Sequence, residues 1–299
     1  MSLRVVKPLT IVPAMLLSTD VPESDYAPYS AATTYELGAR CIVVSDHAVY
    51  ESLVAGNVGS TPATSPAKWV RVSATNRWKL FDLVNSSRTV RAASLFYEIK
   101  PGAAVNALAV LNLSGATSIR IRVTDPVYGL VYDRSTTLIS APAFASWYDW
   151  FYADRVSDPQ HVALDLPSFP AATIRVDLTG DSSLGVGTLL LGQAKAIAET
   201  RYGSRVGIRD YSRKESNEWG DVDLVQRAFA RVCSLPAIVP HASKWRTAQL
   251  LDSLRATPTL WIAVDDDSLL TVFGWYRDYE ILISYPTFSE LSLEIEGLT

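Results

Sequence analysis

Residues 118–123 read SIRIRV, with Ile119, Ile121 and Val123 at every second position and Arg120 and Arg122 between them. A period of two places the aliphatic side chains on one face of a strand and the guanidinium groups on the other. A helix would scatter the same residues round its circumference. The pattern therefore requires a half-buried strand with Ile119, Ile121 and Val123 facing inward, and the same grammar recurs along the middle of the chain. LFYEI, ALAVLNL and LVYD lie near it, and HVALDL, TIRVDLTG and GVGTLLLGQAKAI follow, with turns at Pro101-Gly102, Ser114-Gly115 and Tyr128-Gly129. Short strands at regular spacing with Gly and Pro turns predict a β-sandwich of jelly-roll type over residues 77–200.

The segments on either side read differently. Residues 1–23 carry prolines at 8, 13 and 22, which exclude a helix and predict an extended arm that lies on a neighbour. Residues 201–299 predict an α+β domain. It holds a strand, a polar hairpin turn around Asn217, and a short amphipathic helix on which Val222, Val225 and Phe229 share a face. A second helix is expected over 243–255, with Ser243 as N-cap and Trp245, Gln249, Leu250 and Leu254 on a mostly apolar stripe. An antiparallel meander of four strands, at 260–264, 269–276, 279–285 and 289–296, closes the chain. The fold class is mainly β.

Residues 24–76 form a small module of about three strands with its own punctuation. Tyr35-x-x-Gly38 enters a turn, CIVV and VYESLV are strands, and the loop NVGSTPATSP precedes Trp69. This order resembles the chitin-binding-like modules of carbohydrate-binding families 5 and 12. The resemblance implies a glycan contact, for which Tyr50 and Trp69 are the stacking candidates, since a sugar ring lays its C–H face on an aromatic face. The segment after Tyr50 reads ESLVAG, without the aromatic the family often offers. In a module this small, Tyr35, Tyr50 and Trp69 are more readily understood as its minimal core.

Composition narrows the partners. The 299 residues are 48% hydrophobic and 19% charged, which describes an ordered chain with ample core. The formal net charge is −4, the sequence pI is about 5.5, and arginines and acids are interspersed, so no basic stripe awaits a nucleic acid. Cys41 and Cys233 stand far apart, which predicts no disulfide framework and a reducing compartment of folding. Pro8 and Pro13 interrupt the apolar patch IVPAMLL, so neither signal peptide nor membrane insertion is expected.

Reactive chemistry is scarce. His47, His161 and His241 lack partners at metal-ligand spacing. Asp265, Asp266 and Asp267 read as a solvated turn, lacking the glycine and downstream glutamate of a calcium loop. No nucleophile elbow, phosphate loop or dinucleotide fingerprint occurs. Acid pairs such as Asp149 with Asp154, or Glu215 with Glu218, are not singled out by spacing. No catalytic residue, metal or cofactor is expected. The aromatic run WYDWFY at 147–152 has two readings, an exposed binding site or the filling of a core or interface, of which the second is favoured.

LLSTDVPESD, the Tyr-x-x-Gly module, ATNRWKLFD, WYDWFY, VGIRDYSRKESNEWGDVDLVQRAF and the stretch from LRATPTLWIAV to the end together resemble tail-associated structural proteins of tailed bacteriophages and prophages. The resemblance implies a virion component at a tail tip, baseplate or fibre-attachment collar, made in the host cytoplasm. Its partners would be other tail proteins and copies of itself in a ring, with host-surface glycan as the alternative contact. Arg213, Trp219, Trp275, Tyr276 and Arg277 are the residue types enriched at interface centres and are the assembly candidates. One of Trp275 and Tyr276 is expected to face outward.

Overall fold

The computed structural model describes residues 2–84, 86–140, 146–152, 156–216, 219, 221–265 and 267–298. In chain order its strands are β1 (Ser2–Pro8), β2 (Leu16–Thr19), β3 (Arg40–Val43), β4 (Ala48–Ser52), β5 (Trp69–Ala74), β6 (Thr89–Val90), β7 (Ser94–Ile99), β8 (Ala107–Leu111), β9 (Ser114–Asp125), β10 (Gly129–Thr137), β11 (Ile139–Ser140), β12 (Val156–Ser157), β13 (Gln160–Ala163), β14 (Thr173–Val186), β15 (Thr188–Thr200), β16 (Arg205–Asp210), β17 (Arg213–Ser216), β18 (Val222–Val225), β19 (Phe229–Pro240), β20 (Thr259–Ile262), β21 (Thr271–Leu282) and β22 (Phe288–Gly297). Two α-helices, α1 (Trp147–Tyr152) and α2 (Lys244–Ser253), interrupt them. The chain is mainly β, built of several antiparallel sheets.

It divides into two compact units. The first comprises Met1–Leu9, Val105–Ala107 and Leu191–Thr299. Here β15, β1, β20, β21, β22 and β19 follow one another edge to edge, all antiparallel, and Glu199 and Thr200 of β15 pair with Ile238 and Ala237 of β19. The sheet thus closes on itself as a small barrel, which leaves no open edge among those six strands. Its interior holds Leu3, Val5, Cys233, Leu235, Trp261, Leu293 and Ile295, together with Leu251 and Leu254 from α2 and the residue after it. β16 pairs with β19 outside the closed ring and leaves its own outer edge unpaired within the sheet order.

Several expectations change here. Ser2–Pro8 is not an arm laid on a neighbour but an interior strand between β15 and β20, with Leu3, Val5 and Val6 buried. The prolines do exclude a helix, yet Pro8 falls at the last residue of the strand, where it does not interrupt the ladder. The helix expected around Val222–Phe229 is instead β18, a two-residue-period strand, followed by β19. The strands expected at 269–276 and 279–285 are one, β21, bent by a register shift between Tyr276 and Asp278. α2 lies where it was expected, but it buries Thr247 and Leu251 while Trp245 is exposed. Ser243 occupies the cap position without capping, because its hydroxyl donates to the Pro240 carbonyl at 3.0 Å.

The second unit comprises Thr10–Ala104 and Leu108–Leu190. Its main sheet runs β10-β9-β14-β7-β2, with β6 added to β14. Ile119, Ile121 and Val123 are buried as the alternation requires, opposite the buried Leu178, Val176 and Ile174 of β14. On the other face Arg120 pairs with Asp133 at 2.6 Å and Arg122 with Asp177 at 2.8 Å, cross-strand contacts that suit an exposed sheet surface. The small module is the three-stranded sheet β3-β4-β5.

Candidate functional site

The module's aromatics are its core. Tyr35, Cys41, Ala48, Tyr50 and Trp69 form one buried cluster with Tyr29 against it. Tyr35 and Trp69 meet edge to face with centroids 5.0 Å apart, and Tyr29 stacks on Tyr35 at 5.9 Å. The Trp69 indole N–H donates to the Ser60 carbonyl at 2.8 Å, and the Tyr50 hydroxyl donates to Asp46 at 3.2 Å. Trp69 is 3% exposed and Tyr50 9%, so neither presents a face on which a sugar could stack. This corrects the stacking assignment: a sheet of three short strands has so little apolar area that its large rings are consumed by packing.

A buried carboxylate just before the module fastens that segment to it, and a ring contact links the module to the residue Trp78 beyond it. Glu23 accepts from His47 Nδ1 at 2.9 Å and from the Thr75 hydroxyl at 2.8 Å, and the His47 ring stacks on Trp78 at 4.3 Å. His47 is thus a structural residue. Among the described residues no group of three His, Cys, Asp or Glu is placed to hold a metal ion. Asp267 accepts from the Leu269 amide at 2.9 Å and Asp265 pairs with Arg4 at 3.4 Å, which are the roles of turn carboxylates. Asp266 lies outside the described residues, as do Asp154, Asn217 and Glu218.

The assembly candidates separate into two groups. Arg213 and Trp219 are exposed, Arg213 pairing with Glu215 at 2.5 Å and Trp219 being 88% exposed. Trp275 and Tyr276 are both half-buried, and Tyr276 packs edge to face on the core residue Trp261 and on Tyr279. Tyr276 shares the core-facing side of β21 with Val272, and the register shift follows it, between Tyr276 and Asp278. Arg277 approaches the buried Glu296 at 3.6 Å. That carboxylate also accepts from Arg209, at 2.9 and 3.0 Å to its two oxygens, and from the Tyr211 hydroxyl at 2.8 Å.

Arg213 and Trp219 belong to a feature the sequence reading missed. β16 pairs with the start of β19, the Tyr211 amide donates to the Ala228 carbonyl, the Arg227 amide donates to Ser212 Oγ, and β17 pairs with β18. Residues 205–216 and 222–234 therefore pair as two arms of one long antiparallel hairpin, whose distal part leaves the barrel. Every residue of β16, β17 and β18 is exposed. The register opposes Lys214 to Leu224 and Ser216 to Val222, so these four share one face. Ile208 is 67% and Leu224 66% exposed, and Val206, Val222 and Phe229 are exposed as well. The signal was present as DVDLV, in which Asp221 and Asp223 alternate with Val222 and Leu224. On α1, Trp147, Tyr148 and Phe151 are exposed too, so these three rings do not fill a core.

No protein-family model matches the chain, and no curated protein matches it. Among solved structures, a chain from the helically refined, C6-symmetric tail of an empty GTA particle is similar at a TM-score of 0.27 and 15% identity. The alignment covers 36% of this chain and 84% of that one, a likeness too slight to define fold or role.

Proposed function

We propose that this chain is a structural component of a phage-type tail, acting through protein–protein assembly rather than catalysis. The paired hairpin arms at 205–216 and 222–229 support the reading most directly. A two-stranded ribbon in water is marginally stable by itself. This one carries Ile208, Val222, Leu224 and Phe229 outward and an unpaired strand edge at β16, a combination that a neighbouring chain covers. Its partners on this reading are further copies of itself and other tail proteins, its location is the virion tail, and Arg213 and Trp219 lie in the contact.

The test is sedimentation of the purified full-length chain over a range of concentrations, alone and with the other proteins of its particle. Self-association or heteromeric binding is expected, and it should be lost in Leu224→Asp and Ile208→Ser with unchanged circular dichroism. A chain that stays monomeric throughout and binds none of its particle's proteins overturns the proposal.

A further inference from the structure

The second unit contains a cleft of about 570 Å³ lined by Arg88, Val90, Arg91, Ala92, Ser114 and residues 182–184. Its walls follow from the pairing of residues 89–93 along the end of β14. β6 pairs with Gly185 and Val186, the Arg91 amide donates to the Leu184 carbonyl, and the Ala93 amide donates to the Asp181 carbonyl.

The two arginines differ in what the fold asks of them. Arg91 donates to Asp20 at 2.6 Å and to the Ser94 carbonyl, so its charge is neutralised and its fork is occupied. Arg88 donates to the side-chain oxygen of Asn112 at 2.5 Å, a neutral acceptor that orients the guanidinium without compensating its charge. Among the ion pairs of the described residues none includes Arg88. Four further N–H donors of an arginine remain for another partner.

The neighbours are arranged around that charge. A Cβ at Gly185 would stand 2.7 Å from Ser114 Oγ, so the glycine is what lets that hydroxyl lie over the strand, and the Arg88 stem passes at 3.4 Å from the same point. Ser114 Oγ contacts the Ser183 carbonyl at 3.2 Å, and Ser182 is exposed. Asp181, the nearby carboxylate, is turned to the Ser183 amide and hydroxyl, each at 2.7 Å. Val90, Ala92 and Leu184 supply an apolar portion of the wall. A fixed guanidinium, serine hydroxyls and a small aliphatic surface in one concavity match the three parts of an acidic sugar: its anionic group, its hydroxyls and the C–H face of its ring.

We propose that this cleft binds a monosaccharide unit bearing a carboxylate or phosphate, with Arg88 holding the anion. The site lies at β6 and the residues flanking it, with β9 and β14, and uses none of the module's aromatics. It is tested by amide-resolved NMR titration of the full chain with glucuronic acid, glucose 6-phosphate, glucose and inorganic phosphate. The two acidic sugars should shift amides of residues 88–92, 114 and 182–184, with glucose far weaker. Arg88→Gln should weaken the acidic sugars roughly tenfold or more, the loss expected for a hydrogen-bonded charge, while Arg88→Lys retains part of the binding. Absence of shifts with both acidic sugars, or equal affinity in a folded Arg88→Gln variant, overturns the site. Inorganic phosphate or glucose binding as tightly as glucose 6-phosphate overturns the assignment of an acidic sugar.

Discussion

One guanidinium nitrogen of Arg209 donates to both carboxylate oxygens of Glu296, at 2.9 and 3.0 Å, and so ties the base of the long hairpin to the last strand of the barrel. Glu296 is buried, its side chain 5% exposed, whereas that of Arg209 is 45% exposed. Removing the carboxylate leaves Arg209 and the Tyr211 hydroxyl without this acceptor. Glu296→Ala should destabilise the chain by about 1–3 kcal/mol, and Arg209→Ala should also destabilise it, because it takes a charged donor from a buried carboxylate. A double-mutant cycle in urea should show positive coupling between them. A Glu296→Ala midpoint equal to that of the parent would show that the contact does not hold the hairpin.

Gly274 in β21 admits no side chain. A Cβ there would stand 2.0 Å from the Glu296 carbonyl oxygen and 2.6 Å from Gly297 Cα, both backbone atoms that cannot rotate away. Gly274→Ala is expected to cost about 3 kcal/mol or to prevent folding, at the upper end of overpacking losses. Gly207 in the outer strand β16 faces open space, and Gly207→Ala should stabilise by roughly 0.5–1 kcal/mol through reduced backbone entropy. Thermal melts of the two variants check the contrast, and equal midpoints would refute it.

What could be read from the chain was local. SIRIRV revealed its inward and outward faces because a strand's own side chains carry that information, and Asp133 and Asp177 confirm the outward arginines. The placement of β1 was hidden, since its partners β15 and β20 lie far along the chain and no residue of Ser2–Pro8 names them. Closure of the meander into a barrel follows from that same non-local pairing. Val222, Val225 and Phe229 misled because their spacing of three and four suits a helix, while the competing alternation with Asp221 and Asp223 spans too few residues to dominate. In the module, Tyr35, Tyr50 and Trp69 were legible as core, whereas Tyr29, which stacks on Tyr35 and meets Trp69 edge to face from a loop, was not.

His161 in β13 gives a pH dependence with a definite sign. Burial pushes its pKa below the ordinary 6.5, Arg134 adds to the lowering, and Asp165 and Asp158 oppose it. Between the lowered value and 6.5 the unfolded chain binds more protons than the folded one, so the unfolding free energy rises with pH across that window. The contribution is complete above 6.5 and diminishes as the solution is acidified. Urea midpoints from about pH 5 to about pH 8 should climb in the parent and lose that part of the slope in His161→Phe. A variant with the parent's full slope would assign the dependence to another group.

Cys41 and Cys233 offer a probe of how each unit opens, because both thiols are fully buried. Burial pushes the Cys41 thiol up to about 11 and raises that of Cys233 as well, so each is shielded both sterically and by a scarcity of thiolate. A disulfide reagent should find neither in the native chain at once and both in denaturant. Under native conditions reaction then requires opening, and the two sites should differ. Cys41 sits in the small cluster of Tyr35, Ala48, Tyr50 and Trp69, whereas Cys233 sits in the larger barrel core with Leu235, Trp261 and Ile295. Modification measured on Cys41→Ala and Cys233→Ala singles should therefore be faster for the thiol at Cys41, since a smaller core opens at lower cost. Faster reaction at Cys233 would mean that the barrel, not the module, is the less stable structure.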